Sequence, residues 1–74
     1  MSKKIVGMKQ SIKAIKNKNA EIVYIAKDAD EKIRNTIEEL CKANDIKTVY
    51  YDSMKQLGKE FGISVSASVA CILK

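Results

Sequence analysis

Short apolar runs rich in β-branched residues alternate along this chain with stretches of helical periodicity, and this alternation constrains the fold more than any other feature. Residues 21–26, 48–51 and 68–73 form such runs, and Ile5 and Val6 could add a short strand at the start. Amphipathic stretches separate the runs. Helices alternating with apolar strands predict the α/β class, here a three-layer α/β/α sandwich around a mixed four-stranded sheet. A three-helix DNA-binding bundle fits poorly, because the β-branched runs are too short for helices.

Residues that begin and end helices set the expected boundaries. We expect a first helix over residues 8–18, after Gly7. Asp28 and Asp30 supply capping side chains for a second helix, which ends at residues 44–45. Ser53 caps a third helix, and Gly62 is well placed to end it. The residues predicted to face the core are Met8, Ile12, Ile15, Ile33, Ile37, Leu40, Cys41, Met54, Leu57 and Phe61.

Composition limits the classes of protein that fit this chain. Its 74 residues make one domain, spanning 1–74, and 46% hydrophobic residues suffice for a core. Cys41 and Cys71 are predicted to be reduced core residues, and without histidine no metal or other cofactor is expected. An enzyme is the least favoured class, because no paired acid–base constellation is present. No apolar run approaches the roughly 18 residues of a membrane span, so an integral membrane protein is not expected. The N-terminal lysines are not followed by the apolar stretch of a secretory signal, so we expect a cytoplasmic protein. We also expect a monomer.

The positive charge is concentrated at the start of the chain. The net charge is +5, yet the first 18 residues hold six lysines and no acid, while the remainder carries eight basic and nine acidic residues. At about 100° per residue, Lys9, Lys13 and Lys16 form one stripe along the first helix. This stripe fits either a solvated lysine face or a nucleic-acid contact. The free backbone donors after Gly7, and the amide of Gln10 on the same turn, favour the nucleic-acid contact.

The segment 62–68, between the third helix and the last strand, is a second candidate contact. Ile63 and Val65 alternate there with small polar residues. Both could be core residues at the entrance to the strand, or one could be an exposed side chain that covers an unstacked base. Aromatic residues do not form the stacking platform of single-strand RNA-binding sheets, because Tyr50 and Tyr51 are predicted to point to opposite faces. Composition leaves the two interpretations of the segment open.

Three segments, 7–15, 25–30 and 54–65, resemble the kink-turn RNA-binding ribosomal protein family, most closely its short bacterial members. They read Gly-Met-Lys-Gln-Ser-Ile-Lys-Ala-Ile, Ile-Ala-Lys-Asp-Ala-Asp and Met-Lys-Gln-Leu-Gly-Lys-Glu-Phe-Gly-Ile-Ser-Val. The resemblance implies an α/β/α sandwich that binds a sharply bent RNA helix–internal loop–helix. It also implies that the first turn of the first helix enters the widened groove beside tandem sheared G·A pairs.

The resemblance also implies roles for individual residues. Gly7 would allow a close backbone approach, and Lys9 and Gln10 would read the groove. Lys13 would contact both the groove and the RNA backbone. The loop 63–66 would cover flipped-out nucleotides, with Lys27 and Asp28 on the same surface. The full set of expected RNA-binding residues is Gly7, Met8, Lys9, Gln10, Lys13, Lys16, Lys27, Asp28, Ile63, Ser64, Val65 and Ser66.

Two places depart from the pattern of archaeal and eukaryotic members. Lys9 and Gln10 stand where those members usually have Asn and Glu, which predicts that more of the affinity comes from phosphate. Ser64 stands where an acid is often found. The expected function is a non-enzymatic module, associated with the ribosome or another ribonucleoprotein, that favours kinked RNA by binding only that form. A protein-interaction adaptor on the same fold, without specific RNA recognition, is the alternative.

Overall fold

The computed structural model describes residues 3–63 and 66–74. Strand and helix alternate along these residues in the predicted order. The elements are β1 (Lys3–Val6), α1 (Met8–Lys16), β2 (Ala20–Ala26), α2 (Glu31–Ala43), β3 (Lys47–Tyr51), α3 (Met54–Glu60) and β4 (Val69–Leu73). The α/β class that the alternation predicts is therefore confirmed.

The four strands form one mixed sheet in the order β1-β4-β2-β3. Strands β2 and β3 are parallel, while β4 runs antiparallel to both β1 and β2. The last residues of β1, β2 and β3 and the first of β4 therefore lie at one end of the sheet, since Val6 pairs with Ala70 and Ile25 pairs with Val69. All three helices begin there. We call this the helix-start end, formed by Gly7 and residues 27–30, 52–53 and 66–68.

Helices cover the two faces of the sheet unequally. The larger hydrophobic cluster lies under α1 and α2 and includes Ile15, Ile25 and Ile37, each completely buried. A smaller cluster under α3 is centred on Leu57. Burial of one such aliphatic side chain contributes roughly 1.5–3 kcal/mol, so the α1/α2 layer supplies most of the apolar stabilisation. Helix, sheet and helix form the three layers predicted from the sequence.

Both cysteines are core residues, as predicted. Cys41 of α2 and Cys71 of β4 are buried in the α1/α2 layer with free thiols. Burial raises the pKa of each thiol to about 11, because the thiolate would lose its hydration. The neutral thiols therefore pack as small apolar groups at physiological pH.

The buried side of α1 differs from the predicted stripe. The structure buries Ser11, Ala14 and Ile15, whereas Met8 and Ile12 are only half-buried. The small side chains of Ser11 and Ala14 face inward, and the lysine stripe therefore lies on the opposite side of the helix. Ser11 Oγ is buried and has no hydrogen-bond partner among the described residues. A prediction from apolar residues alone could not find this side, because a serine occupies it.

One predicted cap belongs to a different helix. Asp30 caps α2, where its carboxylate accepts the N–H of Lys32 at 2.8 Å. Asp28, predicted to cap the same helix, instead accepts the N–H of Met54, the first residue of α3, at 2.7 Å. Ser53 caps α3 as predicted, through the N–H of Gln56. Asp28 was misassigned because its partner is 26 positions away and is brought near only by the sheet.

The three helices that the structure describes end in the same backbone motif. Gly62 follows α3 with φ 73°, and the Schellman pair of hydrogen bonds runs from this turn back to the helix. Lys18 and Asp45 hold the equivalent position after α1 and α2, with φ of 60° and 54°. The predicted end at Gly62 is confirmed. Helix α1 ends at Lys16 instead of residue 18, since the left-handed backbone of Lys18 cannot continue a right-handed helix.

Candidate nucleic-acid interface

Gly7 makes the turn between β1 and α1. Its backbone has φ 115° and ψ 151°, a combination that is open essentially only to glycine. Its N–H donates to the carbonyl of Val69 at 3.0 Å, which fixes the start of α1 to the start of β4. A Cβ at this position would meet no atom within 4 Å. The glycine is therefore required by its backbone conformation, and the space beside it is open to a ligand.

The first turn of α1 presents backbone donors without a side-chain cap. The first helical hydrogen bond runs from Ser11 N–H to the Gly7 carbonyl at 3.1 Å, so the N–H groups of Met8, Lys9 and Gln10 have no acceptor within the helix. Gly7 makes no side-chain capping bond, and the turn contains no acid. The helix dipole adds a partial positive charge at the same place. Together with the exposed Lys9 ammonium, this turn suits a phosphate or another anion.

The turn after β2 places Lys27 and Asp28 at the same end of the sheet. Lys27 N–H donates to the Tyr51 carbonyl at 2.8 Å, which joins this turn to the end of β3. The Lys27 ammonium lies 3.6 Å from a carboxylate oxygen of Asp52, and both side chains are exposed. An exposed pair of this kind contributes little to stability, so Lys27 can exchange Asp52 for a phosphate at small cost.

The segment before β4 is tied to the same end by backbone hydrogen bonds. Ala26 N–H donates to the Ser68 carbonyl at 3.0 Å, and Ala67 N–H donates to the Met54 carbonyl at 3.0 Å. Ser66 is exposed. Ile63 packs, half-buried, against the cluster under α3, which favours the core interpretation for this residue. Ser64 and Val65 lie outside the described residues.

The structure brings six of the twelve expected residues together at one end of the sheet and places Lys16 apart from them. Gly7, Met8, Lys9, Lys27, Asp28 and Ser66 all lie at or beside the helix-start end. Lys13 lies one turn further along α1, where it lines a shallow groove of about 370 Å³ with Gln10 beside β1. Lys16 lies about 10 Å from Lys9 along the helix axis. It lines a different groove, together with Ile12 and, from α2, Glu39. Lys16 is therefore apart from the candidate interface.

An aromatic cluster that the sequence analysis missed lies on the α3 side of the sheet. Tyr24 packs edge to face against Tyr51, with ring centroids 5.6 Å apart, and against Phe61, at 5.3 Å. The Lys4 ammonium lies 5.6 Å from the centre of the Phe61 ring. Burial, followed by the influence of Glu60 and Tyr24, raises the pKa of Tyr51. Alternation along β2 and β3 could have placed Tyr24 and Tyr51 on one face, but not their contact with Phe61.

The described residues, 3–63 and 66–74, offer neither a metal site nor a membrane-spanning helix. Within these ranges no three His, Cys, Asp or Glu side chains are grouped so that they could hold a metal ion. No described helix combines the length and the apolarity needed to cross a bilayer.

Comparison with protein families gives a match over almost the whole chain. Residues 2–74 match the model of the ribosomal protein L7Ae/L30e/S12e/Gadd45 family. The chain belongs to this family. The resemblance seen in the three sequence segments is thereby confirmed, and the α1 turn, the β2–α2 turn and the segment before β4 lie within the matched region.

Curated bacterial relatives are similar over nearly the full length. The RNA-binding protein TTE2299 of Caldanaerobacter subterraneus is 48% identical over 68 residues, which are 92% of this chain and 83% of that protein. The RNA-binding protein BH0128 of Halalkalibacterium halodurans is 39% identical over 70 residues, or 95% of this chain and 85% of that protein. The RNA-binding protein YbxF of Geobacillus stearothermophilus is 36% identical over 70 residues, with the same two coverages.

Solved structures share the fold. The 15.5kD RNA binding protein of Giardia lamblia superimposes with a TM-score of 0.88 at 30% identity, covering 96% of this chain. This chain spans 60% of that protein. A Bacillus halodurans protein of unknown function superimposes with a TM-score of 0.87 at 20% identity, covering 96% of this chain and 71% of its own, and shows the fold alone. The α/β sandwich is thus the fold of this chain's structural relatives.

Proposed function

We propose that this chain is a non-enzymatic RNA-binding protein that recognises kink-turn RNA, a bent helix–internal loop–helix with tandem sheared G·A pairs. The observation that carries the proposal is the uncapped first turn of α1, which starts at Gly7 and carries Lys9 and Gln10. The names of the bacterial relatives, each called an RNA-binding protein, support the same class of ligand. The proposal makes the chain a component of a ribonucleoprotein, of which the ribosome is one.

The first turn of α1 offers groups that bind phosphate and a side chain that can recognise a base. The free N–H groups and the Lys9 ammonium bind phosphate, while the Gln10 amide offers both a donor and an acceptor to a base edge. Lys13, one turn along, contacts the RNA backbone beside the groove. Because no acid occurs in this turn, a large share of the affinity comes from phosphate and falls as salt rises.

The second contact is the β2–α2 turn with the segment before β4. Lys27 is exposed and adds a cation at the same end of the sheet, after β2, with β4 between it and the strand that leads to Gly7. The residues Ser64, Val65 and Ser66 cover the nucleotides that the internal loop turns outward. Binding at two elements on one end of the sheet fits a bent RNA better than a straight duplex, so the protein raises the population of the kinked form by its differential affinity.

A gel-shift titration tests the proposal with three RNAs at two salt concentrations. The RNAs are a kink-turn, the same RNA with its G·A pairs replaced by Watson–Crick pairs, and a plain duplex of equal length. We expect the kink-turn to bind at least about 100-fold more tightly than the duplex, with the G·A-disrupted RNA close to the duplex. Equal affinity for the three RNAs would show that the chain binds RNA by charge alone.

A further inference from the structure

Met54 is a junction between three parts of the candidate interface. Its N–H donates to the Asp28 carboxylate at 2.7 Å, and its carbonyl accepts the N–H of Ala67 at 3.0 Å. Its thioether sulfur accepts the hydroxyl of Ser68 at 3.4 Å. One residue at the start of α3 thus joins the β2–α2 turn to the segment that leads into β4.

The hydrogen bonds continue from this segment to α1. The Ser68 carbonyl accepts the N–H of Ala26, and the next carbonyl, that of Val69, accepts the N–H of Gly7, both at 3.0 Å. Asp28 is therefore connected through Met54 and residues 67–69 to the glycine that starts α1. Met54 is 26 positions from Asp28 in sequence, so the carboxylate joins two elements that are close only in the folded protein.

An exposed carboxylate at this position needs an explanation, because a phosphate-binding surface is weakened by a nearby negative charge. The carboxylate is at hydrogen-bond distance from a first-turn N–H of α3 and lies at the positive end of that helix. These two interactions favour an acid at position 28 whether or not RNA is bound. They do not require that Asp28 touch RNA.

We propose that Asp28 is a positioning residue for the RNA interface and not an RNA contact. By accepting the Met54 N–H it fixes the start of α3, and through Met54 it fixes residues 66–68 relative to Gly7. The inference rests on the proposed kink-turn function for its effect on binding. The claim that Asp28 fixes residues 66–68 relative to Gly7 concerns the free protein and can be tested without RNA.

The test compares three variants of the full chain. Asp28→Ala removes the hydrogen bond and the charge, whereas Asp28→Asn removes the charge and keeps an acceptor oxygen. Asp30→Ala is the matched control, because it also removes one negative charge and one cap bond, of 2.8 Å, but on α2, which does not hold residues 66–68. Kink-turn affinity is measured for each variant as a function of salt, with duplex RNA alongside.

We expect Asp28→Ala to weaken kink-turn binding about fivefold, the fold-change equivalent to one cap bond of about 1 kcal/mol. The salt dependence should not change, because no phosphate contact is lost. Asp28→Asn should restore binding to within about twofold of the wild type, and Asp30→Ala should not weaken binding, because the bond that it removes caps α2. A loss with Asp28→Asn as large as with Asp28→Ala, or tighter binding by both, would overturn the proposal.

Amide hydrogen exchange in the free protein separates this proposal from the proposed function. In Asp28→Ala, the Ala67 and Gly7 N–H groups should exchange about fivefold faster or more, while they keep wild-type rates in Asp30→Ala. Unchanged rates in Asp28→Ala would overturn the positioning role even if RNA binding fell. Faster exchange in a protein whose wild type shows no preference for the kink-turn would instead refute the proposed function and leave the positioning role standing.

Discussion

Helices α1 and α3 begin with the same pattern, Met-Lys-Gln followed three residues later by Lys. In α1 these residues are Met8, Lys9, Gln10 and Lys13, and in α3 they are Met54, Lys55, Gln56 and Lys59. Both helices start at the helix-start end, but on opposite faces of the sheet. The charged and amide side chains of both first turns are exposed. By composition alone, either turn could bind an anion.

Their caps make the two turns different. In α3 the Ser53 hydroxyl and the Asp28 carboxylate accept the N–H groups of Gln56 and Met54. Among the described residues, no side chain caps the turn of α1, and Gly7 leaves the space beside it open. The comparison shows that identical first-turn residues present free donors or occupied ones according to what precedes the helix. The proposed RNA site is at α1 for this reason, and α3 supplies a matched control for each α1 residue.

The largest expected effect comes from charge reversal at the second helical position. Lys9→Glu should weaken kink-turn binding about 100-fold, because a charge-assisted contact is replaced by repulsion of phosphate. Lys55→Glu should stay within about threefold. An acid in a first turn stabilises a helix, so unfolding does not account for a loss of binding in either variant. Equal losses in a gel-shift titration would mean that the two turns bind RNA alike, contrary to the comparison.

Removal of the lysine one turn further along should have a smaller effect. Lys13→Ala is expected to reduce kink-turn affinity about tenfold and to lower the slope of log affinity against log salt by about 0.7–0.9, which corresponds to one phosphate contact. Lys59→Ala, at the equivalent position of α3, should alter neither quantity. Titrations at four salt concentrations measure both. An unchanged slope for Lys13→Ala would remove Lys13 from the set of phosphate contacts.

Gly7 and Gly62, which flank α1 and α3, should differ in how much stability alanine costs at each position. Gly7 precedes α1 with φ 115° and Gly62 follows α3 with φ 73°, and a Cβ at either position would meet no atom of the described residues within 4 Å. Backbone strain alone therefore sets the cost of alanine. We expect Gly7→Ala to lower the free energy of unfolding by about 2 kcal/mol and Gly62→Ala by about 1 kcal/mol, since alanine tolerates the left-handed helical region better. Urea titrations measure both, and the reverse ranking would contradict this account of Gly7.

The smallest expected effect at neutral pH concerns the two buried thiols and their contribution to the free energy of unfolding. Both thiols lie in the α1/α2 layer, and the pKa of each is about 11 in the folded protein, above the ordinary value of 9.0. Their contribution to stability is present below pH 9 and is lost as pH rises through 11, because only the unfolded chain ionises readily. A double Cys41→Ala, Cys71→Ala variant should show a weaker decline over this range. Urea titrations at pH 7 to 11 measure it, and parallel declines would show that the thiols do not contribute.

Much of this molecule follows from local sequence pattern. The order of strands and helices, the cap at Ser53 and the end at Gly62 were all predicted, because each depends on residues within a few positions of one another. The buried side of α1 was not, since Ser11 is fully buried although it is polar. Of the candidate interface, the first turn of α1 was predicted from Gly7 and the lysines. The separation of Lys16 was not, because a helical projection ignores the distance along the axis.

Sequence patterns alone establish the α/β class, the concentration of lysines on the first helix and the resemblance to an RNA-binding family. Periodicity, charge clusters and short motifs depend on residues that are close together in the sequence, so they can be recognised without the folded structure. The folded structure, in contrast, shows that the Asp28 carboxylate caps α3 and that Gly7 is hydrogen-bonded to Val69. It also shows that the α1 copy of the shared first turn stands uncapped beside open space. These facts depend on strand order and direction, which bring together residues that are far apart in the chain.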